Sequence, residues 1–139
     1  MKNVLLTGGS RGLRLEITKI FLSEGWTVYN ISRTKPPLEH ENLYHKKIDL
    51  SKTDTLKKEI FKEYITIKTP IHAVIHNAAI AYDDIVTNAK LEPLTQMYNV
   101  NVLSPIMMNR ESIRNMLFNK INGSIVFISS ISSMTGYQF

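Results

Sequence analysis

A chain of 139 residues has room for one hydrophobic core and not for two. With 43% hydrophobic and 21% charged residues, six Gly and five Pro, it has the make-up of a packed domain, and its lack of cysteine excludes disulfide scaffolds, thiol catalysis and Cys-based metal sites. Seventeen Lys and Arg against twelve Asp and Glu give a formal charge of +5, which suits nucleic acid, a membrane surface or a phosphorylated small molecule and does not choose among them.

In chain order, Lys2 to Thr7 is a short apolar run closed by Gly8-Gly9, which predicts a strand and a tight turn. Leu13, Ile17, Ile20 and Phe21 follow at helical spacing, and Gly25 ends that helix. Trp26 to Ile31 has strand character again, and Pro36-Pro37 leaves no room for a proper helix before the third strand, Leu43 to Ile48. Leu56, Ile60, Phe61 and Tyr64 mark one face of a helix that starts after Ser51, and Pro70 closes that region. Ile71 to Ile75 reads as a buried fourth strand, roughly residues 91–119 as two helical segments, and Ser124 to Ile128 as a fifth strand after the Asn122-Gly123 turn. Strands alternating with helices predict one α/β domain over residues 1–139. The expected architecture is a three-layer, Rossmann-like, doubly wound parallel sheet of about five strands in the order 3-2-1-4-5, with ligands at the carboxyl ends of the strands. The first apolar run is too short for a signal peptide and no run approaches the length of a membrane span, so a soluble, cytoplasmic protein is expected.

The segment Thr7-Gly8-Gly9-Ser10-Arg11-Gly12-Leu13 joins the first strand to its helix, where backbone N–H groups and the helix dipole can hold a pyrophosphate. The same glycines also suit a plain helix start. The rest of the chain decides between them. Thr7, Gly8 and Gly12 fill the first fixed positions of the pattern Thr-Gly-x-x-x-Gly-x-Gly, Asp49-Leu50 follows the third strand, His76-Asn77-Ala78-Ala79 follows the fourth, Asn101 lies in Val100-Asn101-Val102, and Ser130 closes the fifth strand region in Ile128-Ser129-Ser130. In that order these residues resemble the short-chain dehydrogenase/reductase family.

The resemblance implies that Asp49 and Leu50 meet the adenine edge and that Asn77, Ala78 and Ala79 stand where the family has Asn-Ala-Gly beside the cofactor. It further implies catalytic roles for Asn101, which anchors a water in a proton path, and Ser130, which hydrogen-bonds the substrate oxygen. The family's proton donor, a Tyr-x-x-x-Lys pair, falls by the family's spacing a few residues past Phe139. Tyr137 comes too early for it and reads as a substrate-loop aromatic. Arg14 stands where the family has its last glycine, and its bulk is expected to obstruct the cofactor, so that Arg14→Gly would tighten binding.

At the end of the second strand a dehydrogenase for NAD places an acid, whereas a 2'-phosphate needs cations. Here the residues are Ser32-Arg33, with no Asp or Glu between Trp26 and Leu38, and Arg11 adds a charge of the kind seen in NADP-preferring members of the family; NADP is the expected cofactor. As plain surface residues, Arg11 and Arg33 would carry no such meaning. His40, His45, His72 and His76 have no cysteine partners, and Lys46-Lys47 and Lys57-Lys58 read as solvated faces, so neither a metal nor nucleic acid is expected. Three readings fit: an NADP-dependent reductase of a carbonyl or alcohol represented by its cofactor-binding portion and inactive alone, a nucleotide-binding descendant without turnover, and a basic interaction module on the same fold. An apolar edge at the fifth strand makes a homo-oligomer the expected state.

Overall fold

The computed structural model describes residues 1–8 and 12–136. Five strands, β1 (Asn3–Thr7), β2 (Thr27–Ser32), β3 (Leu43–Lys47), β4 (Ala73–His76) and β5 (Ser124–Phe127), form one sheet in the order β3-β2-β1-β4-β5, every neighbouring pair parallel. This is the order expected from the sequence. Because the side chains of a strand alternate between faces, β1 serves two cores at once. Val4 and Leu6 pack with Val28, Ala73, Ile75 and Leu22 of helix α1 (Leu13–Ser23) on one face. Leu5 packs with Ile31, Val74 and Ile60 of helix α2 (Leu56–Phe61) on the other. Met108 and Met116 of helix α4 (Ser104–Phe118) complete that second core. Each such apolar side chain, fully buried, contributes about 1.5 to 3 kcal/mol, so the central strand is the part of the sheet most costly to disturb.

Several boundaries differ from the sequence reading, each for a local reason. Helix α2 stops at Phe61, and Tyr64 lies past its end, where its hydroxyl donates to the Asn30 carbonyl at 3.3 Å. Strand β4 begins at Ala73 and not Ile71, because the Ile71 N–H is taken by the buried Oδ1 of Asn115 at 2.9 Å and so leaves the ladder. The Asn115 amide also donates to the carbonyls of Thr66 and Thr69, which pins the segment entering β4 to α4. Between Ser32 and Leu43 there is no helix, as Pro36-Pro37 requires.

The helical stretch expected over residues 91–119 is one continuous path in three parts: helix α3 (Leu91–Tyr98), a π-helical turn (Asn99–Leu103) and α4. Strand β5 lies at the sheet edge and leaves Val126, Phe127 and Ile128 well exposed. Among the described residues no helix is long and apolar enough to cross a membrane, and no group of three or more His, Asp or Glu could hold a metal ion.

Candidate functional site

The order β3-β2-β1-β4-β5 reverses direction between β1 and β4, and a crevice opens there at the carboxyl ends of the strands. Two contacts shape its floor. The Thr7 hydroxyl accepts the N–H groups of Asn77 (3.1 Å) and Ala78 (3.0 Å), fastening the end of β1 to the segment after β4. Gly8, at φ +77°, donates its N–H to the Ile31 carbonyl at 2.7 Å, and a Cβ added to it would stand 3.2 Å from the Ala78 Cα. Only a glycine fits there without strain, and its bareness opens a cleft of about 190 Å³.

That cleft is lined by Gly8, Ser32, Arg33, Asp49, Leu50, Ala78 and Ala79, all expected from the sequence, and also by Arg14, Thr34, Ile48, Ser51, Ile80, Gln96 and Val100. Strand ends bring the first group together from four distant stretches. Gly12, at φ +59°, precedes α1 and caps it with no side-chain bond, as a site for an anion at a helix start requires. Leu13 is exposed at the first position of the helix, while Gly9, Ser10, Arg11 and Tyr137 lie outside the described residues. Asn77 is buried and its Nδ2 has no hydrogen-bond partner among the described residues.

Charge and hydrogen bonding differ along the cleft. Ser32 Oγ lies 2.9 Å from Asn30 Oδ1 and 2.7 Å from the Thr34 carbonyl, and its one proton serves one of them at a time. Asp49 accepts from the hydroxyl and N–H of Ser51; these bonds, with the nearby charges of Lys52 and Arg33, hold its carboxyl below the usual range despite some burial. Arg33 is exposed and enters none of the ion pairs found among the described residues.

Asn101 sits in the π-helical turn and clamps the backbone of Ile80: its Oδ1 accepts the Ile80 N–H at 2.9 Å and its Nδ2 donates to the Ile80 carbonyl at 2.8 Å. The irregular turn that aims it had one sequence signal, two asparagines at 99 and 101 inside an apolar run. Asn99 ties the same turn to the Ser51 carbonyl at 3.0 Å. Ser130, by contrast, is exposed and does not line the cleft; its hydroxyl caps a short 3₁₀ turn (Ile131–Ser133) and lies 2.9 Å from Ser132 Oγ.

A Tyr-x-x-x-Lys spacing does occur in the chain, at Tyr64 and Lys68, but not where the chemistry would need it. Burial raises the Tyr64 phenol, with Tyr29 and Tyr44 adding to the effect, which opposes phenolate formation, and its ring packs edge-on against Tyr29. It is a packing residue.

His76, in the family's first asparagine position, is buried at the end of β4, stacked on Phe127 at 4.6 Å, with Nε2 donating to Asn109 Oδ1 at 2.6 Å. Burial holds its pKa below the ordinary value, the Asn109 bond opposing, and its Nδ1 has no partner among the described residues. As pH falls through the unfolded value of about 6.5, the unfolded chain takes up a proton that buried His76 refuses, so stability declines below that pH. Urea midpoints at successive pH values are expected to drop from neutrality towards pH 5, with a shallower slope in His76→Asn; parallel slopes would show that His76 does not govern the decline.

A family model described as short chain dehydrogenase matches residues 2–139. The chain is 29% identical to the L-xylulose reductase of Caenorhabditis elegans over 134 residues, covering 93% of this chain and 53% of that protein. It is also 29% identical to the L-rhamnose 1-dehydrogenase (NADP(+)) of Thermoplasma acidophilum over 148 residues, 99% of this chain and 58% of that one. Thus it spans about half the length of the curated relatives it matches. The fold superposes on a 4-hydroxyisoleucine dehydrogenase complexed with NADH with a TM-score of 0.88 at 23% identity, over 99% of this chain and 59% of the other.

Proposed function

This chain belongs to the short chain dehydrogenase family, and from that premise we propose that it is the NADP(H)-binding portion of an oxidoreductase acting on a small carbonyl or alcohol. The observation that carries the reading is the cation at the rim of the switch-point cleft: Arg33 follows β2 directly, where an NAD site would place an acid. Relatives and structural neighbours divide between NADP and NADH by name, so the cofactor choice rests on this residue.

In this reading Thr7 and residues 8–13 hold the pyrophosphate, Arg33 and Ser32 the 2'-phosphate, Asp49 and Leu50 the adenine, and Asn77 to Ala79 the inner ribose. Ser32 joins only by giving up Thr34 or Asn30, which leaves Arg33 the larger share of the selectivity. A bound nicotinamide supplies the hydride. Around it, Asn101 anchors a water in the proton path through the groups it leaves free, and Ser130 turns from its own 3₁₀ turn to bond the substrate oxygen. The polypeptide tested alone is expected to reduce no carbonyl, since no Tyr-x-x-x-Lys follows Ser130 within it. A cytoplasmic location and self-association through the exposed β5 edge belong to the same reading. Titration of cofactor fluorescence is expected to show NADPH binding more tightly than NADH. Equal affinities would remove the NADP assignment, and no binding of either would remove the dinucleotide site.

A second reading, a nucleotide-binding descendant without turnover, draws support from the place of Ser130 outside the described cleft lining, with its hydroxyl against Ser132. Carbonyl reduction by the whole oxidoreductase of the first reading, lost in Ser130→Ala, would rule it out.

A further inference from the structure

Arg14 is the second residue of α1, and side chains on a helix lean towards its N-terminus, so a long one at this position reaches back beyond the helix start. It reaches the floor of the cleft. Its Nη1 lies 3.3 Å from the point that a Cβ on Gly8 would occupy, with the Ala78 backbone against the same point on the other side. Arg14 as a residue is half-buried, and among the described residues it makes no ion pair, although Glu16, Glu63 and Glu111 all engage cations elsewhere.

Among the described residues the cleft therefore holds two guanidinium groups, Arg14 on the floor beside the end of β1 and Arg33 on the rim just past the end of β2. The single carboxylate among the described lining residues, Asp49, is turned to Ser51 by two hydrogen bonds. Two cations drawn into a partly covered site repel one another unless an anion enters between them. We propose, building on the dinucleotide reading above, that Arg14 is a ligand of the cofactor's diphosphate, its planar fork meeting two phosphate oxygens above Gly8. In its place the family has a glycine, which lets helix and strand approach closely beside the phosphates. This reverses the expectation of obstruction, which followed from the residue's bulk without knowledge of where its charge lies.

The diphosphate is common to NADPH and NADH, while the 2'-phosphate belongs to NADPH alone. Arg14→Gln is thus expected to weaken both cofactors alike, by roughly ten- to a hundredfold, because each loses one charge-assisted contact. Arg14→Lys should recover part of the loss, and inorganic pyrophosphate should displace NADPH from the wild-type chain at lower concentration, relative to NADPH affinity, than from Arg14→Gln. Unchanged or tighter binding in Arg14→Gln would overturn the proposal and restore obstruction. A loss confined to NADPH would place Arg14 on the 2'-phosphate and overturn the diphosphate assignment. Failure of the wild-type chain to bind either dinucleotide would instead remove the underlying function, a result visible before any variant is made.

Discussion

Arg33→Ala is expected to weaken NADPH binding by roughly ten- to a hundredfold and to leave NADH nearly unchanged, the range given by losing one hydrogen-bonded charge contact to a phosphate. Arg33 stands at the mouth of the cleft, exposed and outside every ion pair among the described residues, so its removal breaks no ion pair that would lower both affinities together. Exposure also sets the salt dependence. A contact made at the surface is screened over a Debye length of about 8 Å at physiological ionic strength, so the gap between wild type and variant should narrow as salt is raised. Arg33→Lys keeps the charge and loses the planar fork, and should fall between the two. Equal losses for NADPH and NADH, read by fluorescence titration, would show that Arg33 does not select the cofactor.

The contrast between Arg33 and Arg14 shows where a sequence is legible. The position of Arg33 at the cleft was legible because the end of a second strand has a fixed place in this topology, and strand order followed from alternation, handed crossovers and the switch beside β1. The glycines of the turn were legible for the same reason, and Gly8 is held at a positive φ against Ala78. What spacing did not disclose was side-chain direction. Arg14 could be counted as bulk, but its reach to Gly8 depends on the tilt of α1 and on the close approach of residue 78.

Nor could spacing disclose competition for backbone groups. Asn115 removes Ile71 from the β4 ladder through a bond spanning 44 positions, and nothing within either segment signals it. The π-helical turn is a similar case: helical periodicity continues through residues 91–118, so an extra residue in one turn is hidden in a run that already reads as helix. The Tyr64 and Lys68 spacing warns in the other direction, since a pattern of the right residue types lies in a buried aromatic cluster.

The second large effect is expected at Asn101, whose amide satisfies both backbone groups of Ile80 from the π-helical turn. Ile80 lines the cleft, so this clamp couples the helix path to the cofactor site. Asn101→Leu keeps the approximate size and leaves a donor and an acceptor without partners; at about 1 to 3 kcal/mol for each buried group, and with Ile80 only partly buried, the loss should be about 2 to 3 kcal/mol. Both dinucleotides should bind more weakly and by a similar factor, because the displaced segment borders the cleft without touching the 2'-phosphate position. Asn101→Asp keeps the acceptor for the Ile80 N–H but faces a carboxylate to the Ile80 carbonyl, and should lose more stability than a single hydrogen bond accounts for. Asn115→Leu separates general instability from a local effect. It too strips buried hydrogen bonds, to Ile71, Thr66 and Thr69, but at the entry to β4, the opposite end of the strand from the cleft. Urea unfolding should therefore place the two variants together, while titration separates them, Asn115→Leu binding NADPH like the wild type below its unfolding transition. Equal weakening in both would mean that Asn101 acts only through global stability and that its clamp on Ile80 does not shape the site.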